Sequence, residues 1–243
     1  MVYSLYFIKS ITFEAIRVIV TIIFTFIALA SFPLPPITRY KIIRLWSWVL
    51  IKISVKLCGL NYKVIGENNI PNKPTIILSN HQSAWETLAY QSIFPPLVWV
   101  LKKELLRIPF FGWGLAMTSP IAIDRSTKIK SLRQTVKQGK DRLKKGFCII
   151  VFPEGTRSAP FKSGRYQIGG AFLACQTGTS VTPVAHNAGT LWGKNAIIKF
   201  PGQITVSIGP KIETKGLTPD KLNKMVETWI SNEIKKIGTA RTK

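Results

Sequence analysis

The sequence predicts an α/β fold, a mostly parallel sheet flanked by helices, with an N-terminal membrane-associated helical segment. Three observations point there. From residue 61 onward, short apolar runs alternate with runs of helical length, the pattern of strands joined by crossover helices. Two of those runs, Thr75-Ile76-Ile77-Leu78 and Phe147-Cys148-Ile149-Ile150, lead into polar words, NHQSAWE (Asn80 to Glu86) and VFPEGTRS (Val151 to Ser158). Polar clusters at the carboxyl ends of buried strands are where α/β folds hold ligands. The chain before residue 61 is strongly apolar and carries no charged side chain from Val18 to Thr38.

That N-terminal run is close to the roughly 20 apolar residues that cross a bilayer. A signal peptide is the competing reading, but Glu14 and Arg17 precede the run and it ends in Phe32-Pro33-Leu34-Pro35-Pro36 rather than in small residues. A buried core helix passes the same test. The next stretch, Tyr40 to Leu60, mixes Lys41, Arg44, Lys52 and Lys56 with aliphatic residues, Trp46 and Trp48. The cations recur mostly at steps of four and share a helix face, which suits an interfacial helix. Residues 1–60 are therefore expected to be membrane-associated helices, either a span or a hairpin dipping into one leaflet. The basic residues after the apolar run place the following domain on the cytoplasmic side.

Residues 61–243 are expected to form the α/β domain. Strands are predicted at Tyr62–Ile65, Thr75–Leu78, Leu97–Leu101, Ile121–Ile123, Phe147–Val151, Ser180–Val184, Ile197–Phe200 and Ile204–Ile208. Helices are predicted at Glu86–Ile93, Lys128–Lys145, Gln167–Gln176 and Pro219–Ile237.

Composition narrows the partners. Lys and Arg number 34 against 11 Asp and Glu, a formal charge of +23, while 46% of residues are hydrophobic. Strong basicity with strong apolarity favours an anionic membrane surface over nucleic acid. Cys58, Cys148 and Cys175 show neither disulfide nor zinc spacing. With only two histidines, a multi-histidine metal site is not expected.

The first word offers a base beside a carboxylate. On one helix His81 and Glu86 would point about 140° apart. They meet only if His81 lies on the turn before the helix and Glu86 in its first turn. Ser83 and Glu86 fit a capping box at that junction, so Glu86 reads either as a helix cap or as the orienting half of a general-base dyad. In the second word Gly155 permits a turn closed to bulkier residues, Arg157 presents a planar fork for phosphate, and Thr156 and Ser158 add hydroxyls. Glu154 is placed to orient Arg157 or to accept from a substrate hydroxyl. A third stretch contributes Lys103 and the strand end Ile123-Asp124-Arg125.

Together these residues closely resemble the 1-acylglycerol-3-phosphate acyltransferases of glycerolipid synthesis. The resemblance runs from about Tyr62 to Val184 and covers four motifs in order: Asn80-His81 to Glu86, Ile123-Asp124-Arg125, Phe152 to Ser158, and Val181-Thr182-Pro183-Val184. It implies the glycerolipid acyltransferase fold and transfer of a fatty acyl group from a thioester to the free hydroxyl of lysophosphatidate, giving phosphatidate. It further implies His81 and Glu86 as catalytic residues. Lys103, Arg125, Glu154, Gly155, Thr156, Arg157 and Ser158 would then form the phosphate site, with no metal or prosthetic group. The donor would be acyl-CoA or an acidic acyl carrier protein, and the setting the bacterial inner membrane. The family usually has aspartate where this chain has Glu86, whose longer arm must use a different rotamer. That substitution keeps two alternatives open, an acyltransferase for another lysophospholipid and a non-catalytic membrane-binding relative.

Overall fold

The computed structural model describes residues 2–124, 127–161 and 164–240. Helix α1 (Val2–Ala30) and helix α2 (Pro36–Cys58) form an N-terminal hairpin. The domain follows as β1 (Leu60–Ile65), β2 (Ile76–Ser79), α3 (Trp85–Ile93), β3 (Leu97–Lys102), α4 (Phe111–Met117), β4 (Ile121–Ile123) and α5 (Lys128–Lys144). It closes with β5 (Cys148–Val151), α6 (Gly169–Thr177), β6 (Val181–His186), β7 (Gly202–Ile208) and α7 (Pro219–Ile237). The strands form one sheet in the order β1-β7-β6-β2-β5-β3-β4. Every pairing is parallel except β6 with β7. The central strands β2 and β5 are buried at every residue, as expected for a parallel sheet covered on both faces.

Crossover handedness sorts the helices. Connections β2-α3-β3 and β3-α4-β4 run one way across the sheet, and β4-α5-β5 and β5-α6-β6 run the other. Right-handed crossovers therefore place α3 and α4 on one face and α5 and α6 on the opposite face. The contacts agree: α2 packs on α3 and α1 on α2 and α4, whereas α6 packs between α5 and α7.

One expectation is corrected, and one element was not foreseen. Ile197–Phe200 is not a strand. Lys199 within it is fully buried against α1, where its ammonium pairs with Glu14 at 2.7 Å and lies over the Trp192 ring at 4.7 Å; a buried lysine needs that counter-charge, and meeting it holds the segment out of the sheet. Conversely, no helix was predicted at α4, whose Gly112 and Gly114 disfavour one. Tertiary packing overrides the two glycines: a Cβ at Gly114 would sit 3.3 Å from Thr25 Oγ1 of α1, so the small residue permits the close approach.

Helix α1 starts well before the uncharged run and includes Glu14 and Arg17, which pair with each other. By length and composition it could cross a membrane, and only 17% of its most apolar window is buried. This exposed apolar helix points to membrane association. Its inner face is docked on the rest of the chain: Phe13 joins the same core as Tyr40 and Leu50 of α2 and Ile77 of β2.

Candidate active site

The carboxyl ends of β2 and β5 lie side by side, and each leads into one of the polar words. After β2 the chain turns through Asn80 to Ala84 before α3 begins at Trp85. Asn80 anchors this turn to the neighbouring strand end. Its Nδ2 donates to the His186 carbonyl, and its Oδ1 accepts from the His186 N–H, both at 2.9 Å.

Glu86, in the first turn of α3, is fully buried. A single oxygen, Oε1, accepts from the N–H of Gln82 at 2.9 Å and of Ser83 at 2.8 Å, and lies 2.7 Å from Nδ1 of His81. Cap and dyad were competing readings from the sequence; the geometry realises both contacts at one atom. The Ser83 hydroxyl accepts from the Trp85 N–H at 3.1 Å rather than from Glu86, because the helix starts at Trp85. Burial alone would raise the Glu86 carboxyl, but the imidazoles of His186 and His81 and the Ser83 N–H override it and hold the group below its usual range. A carboxylate can only accept, so His81 Nδ1 carries the proton and Nε2 keeps a free lone pair. The ring is stacked on Phe152, with centroids 4.0 Å apart and planes 9° apart, and Phe152 is stacked on Trp99. With 16% of its side-chain surface accessible, the imidazole presents one edge to the cavity.

His186 stands behind the dyad and was given no role from the sequence. Its Nδ1 accepts from the Ala188 N–H at 3.2 Å and its Nε2 donates to the Asn80 carbonyl at 2.9 Å. Burial pushes its imidazole below the ordinary value, against the opposing pull of the Glu86 carboxylate. No local signal could have placed it, because β6 had to extend two residues past Val184 to deliver it.

The second word packs against the His81 turn. Gly155 has φ +71° and closes the turn with its N–H on the Phe152 carbonyl at 3.0 Å. Ser158 donates to the His81 carbonyl from its backbone N–H at 2.8 Å and from its hydroxyl at 3.2 Å. Glu154 Oε1 accepts from the His81 N–H at 2.9 Å, and burial raises its carboxyl above the usual range. Glu154 and Ser158 thus clamp the histidine backbone from both sides, where the sequence suggested an Arg157 partner and a phosphate hydroxyl.

A cavity of about 440 Å³ opens at His81. Its polar lining includes Thr156, Arg157 and Lys102, with Lys194 and Asn195 from the loop after β6; its apolar lining includes Trp46, Trp99, Phe111 and Leu115. A smaller apolar pocket of about 50 Å³ shares Trp46, Trp99, Phe111 and Leu115 and continues beneath Thr21, Thr25 and Ala28 of α1. Lys103 does not line the cavity: its ammonium is paired with Asp124 at 2.5 Å, and the adjacent Lys102 faces the cavity instead. Arg125 lies outside the described residues. Lys102 was missed because a cation at a strand end gives no local sign of which way it faces, and Lys194 and Asn195 because their motif-free loop gives no sign of where it folds.

The His81–Glu86 pair therefore opens on a cavity lined by both cationic and apolar side chains. The family model described as Acyltransferase matches residues 61–187. The chain is 44% identical over 209 residues to a 1-acyl-sn-glycerol-3-phosphate acyltransferase of Pseudomonas aeruginosa, covering 84% of this chain and 81% of that protein. It is 35% identical to the Saccharomyces cerevisiae protein of the same name, covering 70% of this chain and 58% of the yeast protein. The crystal structure of the 1-acyl-sn-glycerophosphate (LPA) acyltransferase from Thermotoga maritima superposes with a TM-score of 0.81 at 23% identity, covering 97% of each chain, which shows the shared fold. With the family model spanning both polar words and a bacterial relative matching over more than four-fifths of each chain, the chain belongs to the Acyltransferase family, among the 1-acyl-sn-glycerol-3-phosphate acyltransferases.

Proposed function

We propose that His81 is the general base of an acyl transfer to 1-acylglycerol 3-phosphate, with Glu86 holding its tautomer and Arg157, Lys102 and Lys194 receiving the phosphate. The chain moves a fatty acyl group from a thioester to the free hydroxyl and produces phosphatidate. The acceptor hydroxyl gives its proton to His81 Nε2 as its oxygen attacks the thioester carbonyl. The C–S bond then breaks, and the imidazolium returns the proton to the leaving sulfur. Glu86 stabilises the transient positive charge. The apolar lining and the pocket beneath α1 take acyl chain. The donor is acyl-CoA or an acidic acyl carrier protein; both are anionic and suit the +23 chain.

The observation that carries this reading is the 2.7 Å contact between His81 Nδ1 and Glu86 at the mouth of the cavity. The direct test is purified protein with a labelled acyl donor and a panel of lysophospholipids. Transfer to lysophosphatidate well above the others supports it, and a preference for another headgroup replaces it with the corresponding acceptor. Arg157→Ala is expected to weaken kcat/KM for lysophosphatidate by about 1.5–3 kcal/mol and to spare an acceptor lacking phosphate. An equal loss on both would leave Arg157 a purely structural role.

The setting is a membrane surface, with α1 lying in one leaflet. Contacts run along the inner face of the helix from Tyr3 and Tyr6 on Phe200, through Phe13 on Trp192, to Thr25, whose hydroxyl donates to the Phe110 carbonyl. The outer face exposes Ile8, Ile11, Ile19, Ile23 and Phe26. A helix docked on protein along its length and apolar on the other side suits the plane of the interface, on the cytoplasmic face of a bacterial inner membrane. The triple variant Ile19→Lys, Ile23→Lys, Phe26→Lys removes apolar side chains worth about 1.5–3 kcal/mol each when buried. It is expected to lose flotation with neutral vesicles while its melting temperature stays near the parent's. Undiminished flotation would place the membrane contact elsewhere.

A further inference from the structure

Helix α5 carries a charge pattern that the site does not use. Lys130, Arg133, Lys137, Lys140 and Lys144 are all exposed, and their steps of three and four keep them on one face. They form a cationic stripe roughly 20 Å long. Like charges at these spacings repel and weaken a helix. The first turn also holds no acidic residue, although the helix N-terminus favours one. The acid of this helix, Asp141, is occupied by Arg142 and Lys145. Lys144 sits in the last turn, where a cation suits the helix dipole, but the stripe from Lys130 to Lys140 is self-repelling, which an anionic partner would offset.

We propose that this face of α5 docks an acidic carrier protein that presents the acyl thioester. The inference rests on the reading above, in which the donor is a thioester, and it names the surface that receives a protein-borne one. Three features select this occupant. First, α5 lies on the face of the sheet opposite α3 and α4, on which the apolar hairpin α1–α2 rests, so a bilayer against α1 leaves the stripe in water. Second, α5 begins just after the carboxyl end of β4, at the same end of the parallel strands as His81, and β4 pairs with β3, whose last residue Lys102 lines the cavity. A carrier on the stripe has its thioester arm at the cavity's end of the molecule. Third, a shallow groove of about 350 Å³ runs between Ile129, Lys130, Arg133 and Lys137. Ile129 is 68% exposed beside it, an apolar point within a cationic field. Acidic helices with an apolar side chain at their centre fit such a surface. The phosphates of a free coenzyme thioester form one compact cluster and have no use for a stripe of this length.

The test uses the full-length protein with Lys130, Arg133, Lys137 and Lys140 all changed to Glu, and a second variant with the same four changed to Gln. Binding of palmitoyl-acyl carrier protein is measured by fluorescence anisotropy at low and high salt. Transfer kinetics are measured with that donor and with palmitoyl-CoA, and vesicle flotation is run beside them. The Glu variant is expected to bind the carrier at least ~10-fold more weakly and to raise KM for the carrier-borne donor with kcat retained. Kinetics with palmitoyl-CoA and flotation should stay at the parent level. The Gln variant should show a smaller loss and a flatter salt dependence. Unchanged carrier binding, an equal loss with both donors, or lost flotation would each overturn the proposal. The anisotropy measurement does not depend on turnover, so a parent that binds the carrier but transfers to no lysophosphatidate overturns the reaction assignment and leaves the docking surface standing.

Discussion

Replacing His81 with alanine is expected to lower kcat by ~10²–10⁴-fold, the range that a general base contributes, while the protein stays folded. The separation is possible because the turn is held by its backbone. The His81 N–H is bound by Glu154 and its carbonyl by Ser158, and alanine keeps both. What is lost is the imidazole, its bond to Glu86 and its stacking on Phe152. The measurement is steady-state transfer to lysophosphatidate paired with a thermal melt. A melting temperature within a few degrees of the parent and near-zero turnover would support the role. Turnover within a few-fold of the parent would end it and would leave the fold with a binding function only.

Glu86→Gln should lower both turnover and stability, because one oxygen serves helix cap and base. Glutamine can still accept from Gln82 and Ser83, but it cannot stabilise an imidazolium, and a drop in kcat on the order of 10²–10³ is expected. Hydrogen bonds to a charged group are worth about 1.5–3 kcal/mol, so a loss of about 2 kcal/mol in stability should accompany it. The pH dependence gives a second readout. The folded-state value of Glu86 lies below its ordinary value of 4.5. Its contribution to stability is therefore fully present above that value and is lost as pH falls through the lower folded-state value. The acid side of the parent's stability profile should flatten in the Gln variant, and a profile superimposable on the parent's would refute the charged role. Glu86→Asp keeps the charge but shortens the arm by one carbon. From the same helical position it cannot reach His81 and the two amides together, so activity is expected to fall even though aspartate is the usual family residue here. A fully active Asp variant would mean that the turn readjusts freely around the shorter side chain.

How much of this was legible in advance depended on the range of the interaction involved. The strands β2, β4 and β5 and the helices α3, α5 and α7 could be read from the chain because apolar runs, helical spacing and punctuation by Pro and Gly are local. Thr218 and Pro219, for instance, start α7 where the pattern says they should, with the Thr218 hydroxyl accepting from the Lys221 N–H. The His81–Glu86 pair was legible for the same reason, since five residues separate the partners and only a turn before a helix lets them meet. The antiparallel placement of β7, the helix α4 and the irregular course of Ile197 to Phe200 were not legible. Each is decided by a distant partner: Val206 opposite His186, Thr25 against Gly114, Glu14 against Lys199.

The site divides in the same way. The sequence by itself picked out the His81–Glu86 pair and the arginine turn, because these are words of nearby residues. Only the tertiary structure decided that Glu154 and Ser158 hold the histidine backbone, that Lys102 rather than Lys103 faces the cavity, that Lys194 and Asn195 join its lining, and that His186 is buried behind the dyad. Local patterns report what one element can do alone. Which side chain a buried carboxylate or ammonium must meet is set by desolvation, which no charge within the folded core escapes without a partner brought from elsewhere in the chain.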